Sequence, residues 1–228
     1  MDAFLILQRK FRSIQRFHKT AWDSFSEVKR KIETGEAPFE PPPFDPEYDD
    51  TEPPFTEEWT EADEFQNVVG QAAITLLHSA LKDYLDDFLE RDGLTATAEK
   101  YFSRRRNDKT KKGESWFHRY LAFLSDAYGV DWANSVVSAE QIEEINLARN
   151  DLQHGQSAYN LSRYRTELHK LKFPSGLFVG DFEKRHPTFT GEISVTRETF
   201  HAAVERIEEF CRFVESYSRL VYSGGEMP

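Results

Sequence analysis

Arg149, Asn150 and His154 lie within one short stretch, Leu147–Gly155, and their types and spacing suit a chemical role. A histidine exchanges protons near neutral pH, so His154 could act as a general acid or base. Arginine stays charged and presents a fixed fork of donors to phosphate oxygens, so Arg149 could bind a phosphate. Together these side chains predict a site that binds a phosphate ester and moves a proton beside it.

Signatures of several other chemistries are missing from the sequence. It contains no Walker phosphate loop, no dinucleotide-binding glycine pattern and no H-E-x-x-H zinc pair. Cys211 is the only cysteine, which excludes an internal disulfide and favours a reducing compartment. No histidine lies three or four residues from another, so a helix-face His pair is excluded as a metal site. We therefore predict neither a metal nor a cofactor.

The pattern Arg149-Asn150-x-x-x-His154 resembles the R-x4-6-H motif of HEPN-domain proteins, in which Asn often follows the Arg directly. Looser Arg–His spacings also occur at Arg12–His18 and Arg163–His169, so the loose pattern alone has little value. The tighter pattern is expected by chance at roughly 0.01 matches in a chain of this composition. The resemblance extends over the predicted core helices at residues 60–92, 114–128, 138–154 and 197–221.

The resemblance to HEPN proteins implies a small helical bundle and a metal-independent endoribonuclease that cuts RNA by attack of the 2′-hydroxyl. Such enzymes are found in toxin–antitoxin, CRISPR-associated and antiphage systems, whereas other members of the family bind without cutting. We therefore expect a cytoplasmic toxin or defence effector with an RNA substrate, and an antitoxin or defence-system protein would fit as its partner. The alternative is a non-catalytic HEPN-like module that binds nucleic acid or protein.

The resemblance assigns a role to each residue of the motif. His154 is the general acid or base, Arg149 stabilises the phosphate and the transition state, and Asn150 orients the ribose or phosphate or holds the helix end. Five helical residues separate two side chains by roughly 140°. Arg149 and His154 therefore converge only if the helix ends between them, which Gly155 permits, or if a second copy completes the site. Because the family joins two motifs across a two-fold axis, we predict a homodimer with the cleft at its interface.

Hydrophobic periodicity predicts five or six helices around one core, an all-α fold, as the framework for the motif. Ser138 and Gln141 fit a capping box, so the helix that carries the motif should begin there. A long amphipathic helix is predicted over residues 3–34, with His18 on its apolar stripe and Gly35 as its end. This stripe either packs on the body or a second subunit or lies on a membrane surface. Thr56 and Thr60 are candidate caps of a helix that runs to about Arg91. The other helices are predicted over residues 95–105, 114–128, 156–170 and 197–221.

The predicted organisation has four parts: an N-terminal amphipathic helix (1–35), an acidic Pro-rich linker (36–58), a HEPN-like helical domain (59–222) and a flexible tail (223–228). Between residues 173 and 195 the helical periodicity fails. Two short apolar runs in this insertion could pair as a small β-hairpin: Leu177–Val179 and Glu192–Val195.

The net charge of −11 comes from one acidic segment. From Glu36 to Glu64 there are 12 acidic residues and no Lys or Arg, whereas the rest of the chain carries 28 acidic and 29 basic residues. The segment is either a solvated tether or an acidic strap over a basic groove. Its candidate anchors are aromatic: Phe39, Phe44, Tyr48 and Phe55.

A cluster of cations in residues 95–113 could follow an RNA backbone, although simple solvation of the loop explains it equally well. The six candidate RNA-binding residues are Arg104, Arg105, Arg106, Lys109, Lys111 and Lys112. Trp116 or Phe117 would then be available for stacking on bases.

A membrane partner is not expected. No apolar run reaches the 18 or so residues that a membrane-spanning helix needs, and the longest near the N-terminus is Phe4–Leu7. Asp2 precedes that run and no small-residue cleavage site follows it, so we predict no secretory signal.

Overall fold

Six α-helices make up most of what the computed structural model describes, namely residues 2–41, 53–154, 176–178 and 193–222. In chain order they are α1 (Ala3–Thr34), α2 (Thr56–Arg91), α3 (Thr95–Asn107), α4 (Trp116–Tyr128), α5 (Ala139–His154) and α6 (Arg197–Tyr222), with short 3-10 helices at Lys109–Lys111 and Trp132–Asn134. No residue in the described ranges forms a β-strand, so the predicted all-α class is confirmed. The helix predicted over 156–170 and the tail 223–228 lie outside the described residues.

The beginnings of α5 and α2 show how local signals set the helix boundaries. The Ser138 N–H donates to Gln141 Oε1 over 3.0 Å, and the Gln141 N–H donates to Ser138 Oγ over 3.3 Å. This reciprocal pair confirms the predicted capping box. Thr56 and Thr60 are not caps, because both lie inside α2 and Phe55 occupies the cap position.

The predicted N-terminal helix is present as α1, which packs mainly against α2. Its stripe of Leu7, Phe11, Ile14 and His18 is buried. The stripe therefore packs on the body of the protein and is not turned to a membrane surface. Gly35 ends the helix in the left-handed conformation, with φ at 65°, as its position in the sequence predicts. None of the helices in the described ranges is long and apolar enough to cross a bilayer.

Helix α2 is central and contacts α1, α3, α5 and α6. Its buried Tyr84 hydroxyl donates to the carbonyl oxygen of Cys211 in α6 over 3.1 Å, and Arg91 pairs with Glu215 over 2.9 Å. Burial raises the pKa of the Cys211 thiol, so this cysteine stays protonated within the core. These contacts fix α6 against the C-terminal half of α2.

A non-helical segment, residues 193–195, crosses the first half of α2. The Val195 N–H donates to Asn67 Oδ1 over 3.0 Å, and Gln71 Nε2 donates to the Ile193 carbonyl over 3.1 Å. Ile193 and Val195 are buried. Side chains of α2 therefore form hydrogen bonds with the backbone of residues 193–195, which in a β-sheet would pair with a neighbouring strand.

The predicted β-hairpin is not found in the described part of the insertion. Residues 177–178 form a turn and residues 193–195 form no strand. Leu177 and Phe178 are buried in the core. The described apolar residues of these two runs thus fill the core from irregular segments. The remainder of the predicted hairpin lies outside the described residues.

Replacing Gly70 by alanine should lower the free energy of unfolding by about 1–3 kcal/mol. A Cβ on Gly70 would lie 2.4 Å from the carbonyl oxygen of Val195 and 2.8 Å from its Cβ, so the segment and the helix must separate. The gain in helix propensity, about 1 kcal/mol, offsets part of this cost. Urea denaturation measures the change, with the exposed Glu90→Ala variant of α2 as the control. Equal stability of Gly70→Ala and wild type would contradict the close approach.

The described ends of the acidic linker contact each other and α1. The rings of Phe39 and Phe55 meet edge to face with centroids 5.3 Å apart, and Arg30 of α1 binds Glu36 over 2.5 Å. Glu36, the first acidic residue of the linker, therefore pairs with α1. Two further predicted anchors lie outside the described residues: Phe44 and Tyr48.

Candidate active site

Helix α5 carries the whole motif from Arg149 to His154, because it continues to His154. Since the helix does not end between these two residues, their positions remain roughly 140° apart around its axis. Positions 143, 146, 150 and 154 share one face within about 80°. The sequence analysis gave two ways in which Arg149 and His154 could converge: a helix end between them, or a second copy of the chain. The continuous helix excludes the first. Three side chains at the end of α5 lie outside the described residues: Asp151, Gln153 and His154.

Arg149 and Asn150 contact each other on a half-buried part of α5. Arg149 Nη1 donates to Asn150 Oδ1 over 3.0 Å. The Nε of Arg149 is buried and has no hydrogen-bond partner among the described residues. A buried donor without an acceptor costs about 1–3 kcal/mol, so this environment favours a ligand that brings acceptor oxygens. A phosphate group has the charge and the oxygens that a guanidinium in this state can bind.

A buried hydrogen-bond network lies one turn before Arg149 and joins three helices at Asn146. Asn146 Oδ1 accepts from the Trp116 Nε1–H of α4 over 2.7 Å and lies 3.0 Å from Nε2 of His78 in α2. Asn146 Nδ2 donates to both carboxylate oxygens of Glu143 over 3.2 Å. Because the indole can only donate, Oδ1 is the acceptor, and His78 must carry its proton on Nε2.

The environment of the network lowers the pKa of His78. Burial is the main cause, the hydrogen bond with Asn146 opposes it, and the positive charges of Arg149 and Lys82 add to the lowering. Burial also raises the pKa of Glu143. Ser115, the cap of α4, donates from Oγ to Glu143 Oε2 over 3.1 Å and lies 3.0 Å from Nδ1 of the half-exposed His118. The positive charge of Arg149 thus acts on the His78 imidazole, and hydrogen bonds fix the polar groups around Asn146.

His78, Asn146 and Glu143 are members of the candidate site that the sequence analysis missed. The hydrophobic periodicity of α5 indicated one apolar face that ends in the motif, so the polar residues before the motif were not assigned a role. His78 was missed because it falls within the apolar run of α2. The signal that could have found them is the spacing of Glu143, Asn146 and Asn150, which places three polar residues on one face of α5. A histidine within an apolar helix face is the matching signal on α2.

The predicted RNA-binding cations of residues 104–112 differ in their environments. Arg105 is held by Glu114 over 2.5 Å and by the Tyr101 hydroxyl over 3.1 Å, so it ties α3 to the segment before α4. Its side chain therefore has a structural role and is not a free phosphate contact. The other five predicted cations are exposed: Arg104, Arg106, Lys109, Lys111 and Lys112.

The two aromatic residues that were candidates for base stacking are not freely accessible. Phe117 is 0% exposed, so its proposed stacking on RNA is wrong. Trp116 is partly buried and its N–H is used by Asn146. Both belong to the apolar face of α4, whose periodicity alone is sufficient to explain them.

Replacing Asn146 by alanine should lower the free energy of unfolding by about 2–4 kcal/mol, because it removes the acceptor of the Trp116 and His78 N–H groups. Guanidinium denaturation measures the change. The control is Asn134→Ala, because Asn134 is exposed and its side chain donates to the nearby Asp131 carboxylate, and its effect should be within about 0.5 kcal/mol. Similar effects from both variants would show that the network at Asn146 contributes little.

No group of three or more His, Cys, Asp or Glu side chains within the described ranges is placed to hold a metal ion. A scan against protein-family models gave no match, and searches of the curated proteins and of the solved structures gave none either. The chemistry and geometry of α5 and its neighbours therefore carry the functional interpretation.

Proposed function

We propose that this protein is a metal-independent endoribonuclease of HEPN type that acts as a toxin or antiphage defence effector. The observation that carries the proposal is the state of Arg149. Its guanidinium is bound to Asn150, has a buried donor without a partner among the described residues, and lies on the same continuous helix as His154. A cation held in this way suits a phosphodiester, and position 154 supplies a proton-transfer group two helical turns from the Asn146 network.

The reaction follows from the chemistry of RNA. The ribose 2′-oxygen attacks the neighbouring phosphorus, the bond from phosphorus to the 5′-oxygen breaks, and a 2′,3′-cyclic phosphate and a 5′-hydroxyl result. The 2′-hydroxyl gives up a proton and the leaving 5′-oxygen receives one, so an imidazole from His154 is suited to either transfer. Arg149 stabilises the crowded, negatively charged phosphorane, and Asn150 orients the ribose or phosphate.

A homodimer is part of the proposal, because the positions of Arg149 and His154 diverge by roughly 140° on one helix. Two copies related by a two-fold axis would bring two such pairs to one cleft. The substrate is RNA, and an antitoxin or another defence protein is the expected regulatory partner. A cytoplasmic site of action suits the single, buried cysteine.

The second candidate function is a HEPN-like module that binds nucleic acid or protein without cutting. The continuous helix α5 favours it, because within one chain the two motif positions do not meet. It predicts that His154→Ala leaves binding and biological effect unchanged.

Incubation of the purified protein with total RNA, with and without a chelator, tests the proposal. The expected result is cleavage that persists in the chelator and disappears in His154→Ala. Relief of expression toxicity by the same substitution is the corresponding result in cells. Wild-type protein that binds RNA and leaves it intact would support the binding module instead.

A further inference from the structure

The exposed face of α1 carries three arginines that differ from four of the five other cations of this helix. Arg9, Arg12 and Arg16 are exposed, and no ion pair links them to an acidic side chain among the described residues. Four other cations of α1 are paired with described acids: Lys10 with Asp83, Lys19 with Asp23, Lys29 with Asp63, and Arg30 with Glu27 and Glu36. The three arginines thus have charge available for a ligand, whereas the paired cations are largely neutralised.

The spacing of these arginines places them on one side of the helix. At about 100° per residue, positions 9, 12 and 16 lie within about 60° of one another and extend over about 10 Å of helix axis. Phe17, which follows Arg16 in the chain, is 44% exposed. A shallow cleft of about 550 Å³ on this surface is lined by Arg12, Ser13, Arg16, Phe17, Thr20 and Ala21. The three arginines therefore form a row along α1, and Phe17 flanks this row at the cleft that it shares with Arg12 and Arg16. We call Arg9, Arg12, Arg16 and Phe17 the α1 ridge.

The burial of α1 decides between the anionic partners that such a ridge could bind. A membrane-surface helix inserts a continuous apolar stripe between lipids, but the stripe of α1 is covered by the rest of the protein. The large apolar side chains that remain exposed on α1 are Leu5, at 42%, and Phe17, at 44%, and they lie about 120° apart around the helix. The surface thus offers positive charge and an aromatic ring without a continuous apolar stripe. Single-stranded nucleic acid binds to this combination, because cations follow the phosphates and a ring stacks on a base.

The α1 ridge and the candidate active site lie on neighbouring sides of α2. Ser79 of α2 lines a groove together with Arg9 and Ser13 of α1. His78, the preceding residue, points to the other side and contacts Asn146 of α5. Consecutive residues of a helix lie about 100° apart, so a chain that leaves the ridge across α2 reaches the side on which Arg149 lies.

We propose that the α1 ridge binds the backbone of single-stranded RNA and directs it to the Arg149 site. This inference rests on the proposed function and adds to it a substrate-binding surface that the sequence analysis placed elsewhere, in residues 104–112. It also gives the amphipathic helix α1 two separate roles, one face in the core and one face on the substrate.

Salt-dependent binding of a fluorescein-labelled single-stranded RNA of about 20 nucleotides tests the ridge, measured in the cleavage-deficient His154→Ala protein. Substituting Gln for Arg9, Arg12 and Arg16 together should weaken binding roughly tenfold or more, and should make the slope of log K against log salt shallower by about 2. The matched control makes the same change of charge on the same helix at paired cations: Lys10→Gln, Lys19→Gln and Arg30→Gln. The control should change the slope by clearly less.

Three outcomes would overturn the inference. The two triple variants could weaken RNA binding equally, or neither could weaken it. In the third, the variant without the three arginines loses binding to anionic phosphatidylserine vesicles while its RNA binding is unchanged. The outcome for the ridge is separable from that for cleavage. A wild-type protein that cuts no RNA but shows ridge-dependent binding supports the ridge and contradicts the nuclease. A protein that cuts RNA equally well with and without the three arginines contradicts the ridge and supports the nuclease.

Discussion

Replacing Arg149 or His154 by alanine is expected to lower the rate of RNA cleavage by at least about 100-fold. Removing Arg149 takes away the charge that stabilises the phosphorane, and removing His154 takes away the proton transfer. The measurement is single-turnover cleavage of a defined RNA, with far-ultraviolet circular dichroism to show that the helical content is unchanged. Because Arg149 Nε is unpaired among the described residues, its removal should cost little stability.

A histidine outside the motif provides the control for these variants. His201 is exposed on α6, so His201→Gln should cut RNA at the wild-type rate. Loss of cleavage in His201→Gln as well would point to a general effect on the protein. Undiminished cleavage in both motif variants would exclude Arg149 and His154 as the active residues.

Acidification should destabilise the protein through His18. This side chain is 0% exposed, both ring nitrogens are without hydrogen-bond partners among the described residues, and it stacks on Phe200 with centroids 4.1 Å apart. Burial, with smaller effects from His201 and Arg197, lowers its pKa from 6.5 to about 4, and Asp23 opposes the shift. The buried imidazole is therefore neutral at pH 7.

The sign of the pH effect follows from this depressed pKa. Between about pH 6.5 and pH 4 the unfolded chain binds a proton at His18 that the folded chain does not, so stability falls as the pH falls through this window. The full contribution is roughly 3 kcal/mol. Urea denaturation at pH 7 and pH 4.5 measures it, with His18→Phe as the comparison, since a phenyl ring fills similar space and does not titrate. Equal pH dependence in both proteins would contradict this role of His18.

Local signals allowed several helices to be predicted from the sequence. The apolar stripe of α1 with Gly35 at its end, and the reciprocal Ser138–Gln141 cap of α5, depend on residues within one or two turns of each other. Such interactions are encoded by spacing alone. His18 was correctly predicted to lie on the buried stripe, although its lack of hydrogen-bond partners could not be inferred.

Contacts between distant segments could not be predicted in the same way. The Asn146 network joins residues 68 and 30 positions apart in the chain, and the approach of Val195 to Gly70 joins two segments that only the tertiary fold brings together. For Phe117, the sequence predicted a functional role that the structure contradicts. An aromatic residue next to a basic loop suggested stacking on RNA, but the helical register turned it into the core.

The chemistry of the product ends tests the central proposal most directly. Purified wild-type protein is incubated with an end-labelled single-stranded RNA in excess chelator, and the new ends are identified by mass spectrometry. Attack by the 2′-hydroxyl with Arg149 and His154 predicts fragments that end in a 2′,3′-cyclic phosphate beside fragments that begin with a 5′-hydroxyl, and no such fragments from His154→Ala. Intact RNA, or fragments with 5′-phosphates that form only when a divalent metal is added, would contradict it.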